Sequence, residues 1–199
     1  MEQNFSPKAF MKNRRPERFS DSKVIEKGTL DRVVLEHFIS TLNTRSQELE
    51  FETFSKKLCE KVVCPNLLEQ TGPVAGGDGK TDTQTFPVSD HNQLLWYVGT
   101  ADFSHQERWA FAVSTRKDWK KKCQEDVKKI ADTNRGYSKI FCVTNQYIKS
   151  NQRSELEDLL KKEIGIDIRI LDISWILDQV YSNGYEQLAI ETLSVPTNF

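Results

Sequence analysis

The chain is short of most residues that settle a chemistry at sight. Its three histidines, His37, His91 and His105, stand far apart, and its four cysteines, Cys59, Cys64, Cys123 and Cys142, form no Cys-x-x-Cys pair. That excludes the ordinary zinc sites and reads as a reduced, cytoplasmic protein, with Cys59 and Cys142 as core fillers. No apolar run approaches the ~20 residues of a membrane span, and the N-terminus has no apolar signal-peptide core. An excess of either charge is missing too: 28 Lys and Arg meet 29 Asp and Glu, a formal net charge of -1. Contact with nucleic acid would therefore need a local basic patch. No Gly-x-Ser-x-Gly elbow is present. Gly79-Lys80-Thr81 has the look of a P-loop end, but position 74, where the upstream glycine belongs, is Val74, and a strand pattern follows instead of a helix. There is no internal repeat or low-complexity tract.

What is there suits one α/β domain. The 199 residues are 37% hydrophobic and 29% charged, enough for an ordinary core. Residues 1–22 read as a flexible basic arm, 23–193 as the domain and 194–199 as a linker-like tail. Helical spacing predicts a helix over Thr29–Leu42, with Leu30, Val33, Val34, His37, Phe38 and Leu42 inward, His37 as a packed core histidine, and Thr29 or Ser22 as cap. A second helix is predicted over Ser46–Val62 on the stripe Phe51, Phe54, Leu58, Val62. Thr81–Val88, Leu94–Val98, Trp109–Ser114, Tyr137–Val143 and Asp167–Leu171 read as strands. Asp118–Thr133, Ser154–Glu163 and Ser174–Tyr181 read as helices. The βαβ alternation of the second half implies parallel pairing. Together these predict a central mixed sheet of four to five strands flanked by helices.

One stretch, Gly76 to Lys122, concentrates the chemistry. Gly76-Gly77-Asp78-Gly79-Lys80-Thr81-Asp82 opens it, and Ser114-Thr115-Arg116-Lys117-Asp118-Trp119 with Lys120, Lys121 and Lys122 closes it. Acids at the start of one strand and cations at the end of the next suit metal-dependent phosphodiester hydrolysis. Mg²⁺ takes one or two carboxylates plus waters and substrate phosphate, and a neighbouring cation stabilises the developing anion. Asp82 is the leading ligand and Asp78 a second ligand or a turn former. Glu48 and Glu52, four apart on one helix flank, are the further carboxylates. Ser114 and Arg116 share one strand face and Thr115 and Lys117 the other, so either Arg116 or Lys117 is the cation. Lys80, Lys120, Lys121 and Lys122 are candidate contacts to a nucleic-acid backbone, against the alternative of a solvated helix face. Trp119 caps the core or stacks on a base, and His105 stands in a polar turn without a partner in sequence.

The order of these pieces resembles the PD-(D/E)xK, restriction-endonuclease-like nucleases, and among them the Mrr-like branch. The matching positions are Phe51-Glu52 on a helix, the glycine loop ending in Asp82, and Ser114-Thr115-Arg116-Lys117 on a later strand. From about Phe19 to Leu193 the chain looks like the N-terminal nuclease domain of bacterial antiviral STAND-type ATPases. Cys64-Pro65-Asn66-Leu67, Arg108-Trp109-Ala110-Phe111-Ala112, Asp118-Trp119 and Val143-Thr144-Asn145-Gln146 carry that likeness too. It departs at the third motif, where a hydroxyl, Ser114 or Thr115, replaces the usual acid or Gln. The resemblance implies a restriction-endonuclease-like core and Mg²⁺ or Mn²⁺ at Asp82 with Glu52, Glu48 or Asp78. It also implies double-stranded DNA as substrate, at least a dimer when active, and a sensor or ATPase module acting with the domain. The alternative is a catalytically degenerate module on the same fold that docks to protein or nucleic acid. Whether the substrate is DNA or RNA is open in the sequence.

Overall fold

The computed structural model describes residues 30–68, 81–86 and 106–196. The basic arm, most of the glycine loop with Asp78 and Lys80, the expected strand Leu94–Val98, and His91 and His105 lie outside those residues. Helix α1 (Arg32–Ser40) begins at Asp31, whose carboxylate accepts a hydrogen bond from Val33 N at 2.7 Å. The cap is thus Asp31, not Thr29 or Ser22. A 3₁₀ turn (Leu42–Arg45) leads into α2 (Glu48–Val62). Then follow β1 (Thr83–Gln84), β2 (Trp109–Ser114), α3 (Trp119–Ala131), β3 (Lys139–Thr144) and α4 (Ser150–Ile164). Strand β4 (Asp167–Leu171) and helices α5 (Ile173–Asn183) and α6 (Glu186–Leu193) complete the chain. None of these helices is long and apolar enough to cross a membrane.

The sheet is mixed, four-stranded and ordered β1-β2-β3-β4. β1 pairs antiparallel with β2, and β2, β3 and β4 run parallel, as the alternation in the second half requires. Helices flank both faces. Because strand side chains alternate, Trp109 and Phe111 point with Phe141, Val143 and Leu171 into a core closed by α1, α2, α5 and α6. Ala110 and Ala112 point with Ile140, Cys142, Ile168 and Ile170 into a second core closed by α3 and α4. All four cysteines are buried and free, and Cys123 and Cys142 approach to 3.0 Å between sulfurs.

Two expectations change here. On α1 the buried residues are Leu35 and Ile39, continued by Leu42, while Val33 is 71% exposed and His37 faces solvent. Leu35, Ile39 and Leu42 stand at i, i+4 and i+7, a purer apolar stripe than the one through His37. His37 is therefore not a core histidine. The core also continues past Leu193: α6, which the sequence reading left without an element, buries Ala189 and Leu193, and Val195 beyond it is buried as well.

Candidate active site at the end of the second strand

Asp82 stands one residue before β1. Its N–H donates to Phe111 O at 2.9 Å, and its carboxylate accepts from Val113 N. The register that pairs Thr83 with Phe111 sets Asp82 against Ala112, near the C-terminal end of β2. Burial pushes the Asp82 carboxyl up to about 6, against an ordinary value near 3.8, although the Val113 N–H opposes the rise. Glu52 and Asp126 raise it further, and Lys122 lowers it. These charges are the groups that the fold gathers around Asp82.

Each arrives for a local reason. Phe51, Phe54, Ser55, Leu58 and Cys59 are the buried face of α2, and Glu52 borders it, half-buried. Burial raises the Glu52 carboxyl, with Lys56 acting the other way. Glu48, one turn earlier, is exposed. On α3 the buried residues are Cys123, Val127 and Ile130. Lys122 and Asp126 each precede one of them, so both are carried to the sheet side of the helix. Their ion pair measures 2.6 Å, with side chains only 24% and 14% exposed. With Ala112, Ser114, Trp119 and Thr144 they line a pocket of about 20 Å³, room for a single water molecule. Trp119 packs half-buried against the α3–α4 core, which is the core role foreseen for it.

The two cations expected from the third motif stand beyond the end of the strand. Strand β2 stops at Ser114, so the two-residue alternation does not reach Arg116 or Lys117, and both are exposed. Arg116 forks onto Asp118 at 2.8 and 2.5 Å, and that hydrogen-bonded carboxylate raises the guanidinium while holding its own carboxyl low. Ser114 Oγ accepts from Arg116 N at 3.2 Å. Between them Thr115 is buried, its carbonyl accepting from Asn43 Nδ2 at 2.9 Å and Gln146 Nε2 at 3.4 Å. Gln146 is braced by Asn145 Oδ1 at 2.7 Å, and Asn145 ties back to Ile39 O at 3.0 Å. The Val143–Gln146 segment therefore locks the turn after β2. Lys120 and Lys121 are exposed.

Among the described residues, no group of three or more His, Cys, Asp and Glu side chains is placed to hold a metal ion. The chemistry of the donor set suits Mg²⁺ nonetheless, because that ion keeps several waters and needs only one or two carboxylates. Asp82 and Glu52 are hard oxygen donors, both pushed up by burial, so both gain from a positive charge between them. The sequence reading did not place Asp126 at the site. Its signal was the i, i+4 spacing from Lys122 beside the apolar stripe Cys123, Val127, Ile130. No protein-family model matches the chain, and neither does any curated protein or solved structure.

Proposed function

We propose that this chain is a metal-dependent endonuclease domain that hydrolyses DNA phosphodiesters on a restriction-endonuclease-like core. One observation carries the reading: a half-buried strand-edge carboxylate, Asp82, shares its surroundings with Glu52 and with a sheltered lysine. Asp82 and Glu52 would hold Mg²⁺ or Mn²⁺, which supplies an activated water and neutralises developing charge when bound. Asp82 is aimed by the Val113 N–H, so the fold fixes its orientation before any ligand arrives. Lys120 and Lys121 present positive charge to the nucleic-acid backbone. Cutting both strands of a duplex takes two such sites, so the active form is at least a dimer, brought together by a sensor or ATPase module. The domain then acts as the effector of an antiviral protein.

The test is nicking of supercoiled plasmid with Mg²⁺ or Mn²⁺, beside single-stranded RNA of matched length. The parent cuts DNA only with metal, and Asp82→Ala loses at least about 100-fold in rate. Undiminished cutting by Asp82→Ala sinks the assignment, and inertness of an artificially dimerised parent sinks the activity. One observation favours a second reading, a degenerate module for docking: a hydroxyl, Ser114 or Thr115, stands where such a site uses an acid or Gln. In that case duplex DNA or a protein partner binds without metal and nothing is cut.

A further inference from the structure

The nuclease reading leaves its cation open, and the inference made here rests on that reading. Four of the cations that follow β2 can be separated by where they stand. Arg116 is committed to the Asp118 carboxylate, with Glu125 at 3.9 Å behind it, and is half-exposed. Lys117 is exposed. Lys121 is 73% exposed and reaches Glu125 at 3.9 Å. Lys122 turns inward, with its ammonium 2.6 Å from Asp126.

The reason lies in β2. On its α3 side the strand offers Ala112 and then Ser114, both small, and Lys122 and Asp126 line the same pocket as those two residues. Asp82 is set against Ala112 by the strand register. We propose that Lys122 is the cation of this site, contacting a non-bridging oxygen of the scissile phosphate, and that Asp126 is a positioning residue that aims it. A lysine on a four-carbon stem is a mobile point charge. The Asp126 contact confines it, and the α3 backbone brings it from the helix to a place that the strand leaves empty of large side chains.

The experiment compares the full chain with Lys122→Met, Arg116→Ala, Lys117→Ala and the double variant Lys122→Met/Asp126→Asn, which leaves no carboxylate stranded. Two readouts are taken: plasmid nicking with Mg²⁺, and Mn²⁺ affinity from the free-ion electron-spin signal without DNA. Lys122→Met is expected to lose at least about 100-fold in nicking and to bind Mn²⁺ about three- to tenfold tighter, because a repelling charge is gone. The double variant returns Mn²⁺ affinity towards the parent without restoring cleavage. Arg116→Ala and Lys117→Ala stay within about threefold of the parent in both readouts. Cleavage by Lys122→Met at the parent's rate overturns the proposal, as does loss of cleavage in Arg116→Ala or Lys117→Ala alone. If the parent binds Mn²⁺ but cuts nothing, the nuclease reading fails by itself. Tighter Mn²⁺ binding in Lys122→Met then still supports the placement of the charge, and unchanged binding overturns it. A parent that neither cuts nor binds Mn²⁺ overturns both.

Discussion

The two faces of β2 do opposite work from six consecutive residues. Trp109 and Phe111 fill one side, and Phe111 stacks on Phe141 with ring centroids 4.7 Å apart and planes 10° from parallel. Ala110, Ala112 and Ser114 line the other, where α3 packs and brings a lysine and an aspartate with it. Large aromatic side chains stabilise by the area they bury and by stacking. Small ones bury less, and let a helix carry ionised groups to the sheet. The contrast teaches how the pleat of a single strand divides its work: one face anchors the fold, and its reverse receives the Lys122–Asp126 pair of the candidate site.

The largest effect is expected from breaking the aromatic face. Phe111→Ala removes a ring that is 1% exposed and should cost about 3–5 kcal/mol, read from urea unfolding. A loss under about 1 kcal/mol would mean that the two faces are not divided in this way. Next comes Asp82→Asn, which acts on the other side. The folded-state carboxyl is raised to about 6, so the folded chain holds the proton more tightly than the unfolded one. Stability is then full below the ordinary value near 3.8 and falls as pH rises through about 6. At neutral pH the ionised group costs up to about 3 kcal/mol. Asp82→Asn should recover much of that at about pH 7.5 and almost none at about pH 4, while abolishing metal-dependent cutting. Equal effects at both pH values would refute the burial argument.

Much of this architecture was legible because its signals are local. Strands β2 and β4 lie where the sequence puts them, to the residue, since β2 is an apolar run and β4 alternates Ile168 and Ile170 with Asp167 and Arg169. Helices α2 and α3 follow their stripes closely. Asp82 and Glu52 were singled out from order and residue type, and the fold brings them into electrostatic reach. Other features depend on tertiary packing. The phase of α1 was misread because Val33 and His37 sit at helical spacing and yet face outward. α6 went unread because Tyr185, Ala189 and Leu193 make a stripe only in company with α2 and α5. The lysine run Lys120–Lys122 looked uniform, whereas each residue turns by 100° on the helix and only the third meets the sheet.

A smaller effect tests the close approach of α3. Ala110 is fully buried on the small-residue side. Ala110→Leu inserts three carbons between sheet and helices and should cost about 1–3 kcal/mol through overpacking. A variant as stable as the parent would show slack between the layers, and with it a looser hold on Lys122 and Asp126. Thermal unfolding followed by circular dichroism measures it.

The smallest effect belongs to the Arg116–Asp118 fork. Its two hydrogen bonds measure 2.8 and 2.5 Å, and geometry alone would rank it among the strong contacts near the end of β2. Exposure reverses the ranking. Both side chains stand in solvent, at 52% and 43%, where screening and the entropy of holding two long groups offset the attraction. The turn beneath them is held by Asn43 and Gln146 on the Thr115 carbonyl, not by the fork. Arg116→Ala should therefore leave the unfolding midpoint within error of the parent, whereas Asn43→Ala lowers it. A marked loss of stability in Arg116→Ala would show that the fork, not the amide clamp, holds the turn after β2.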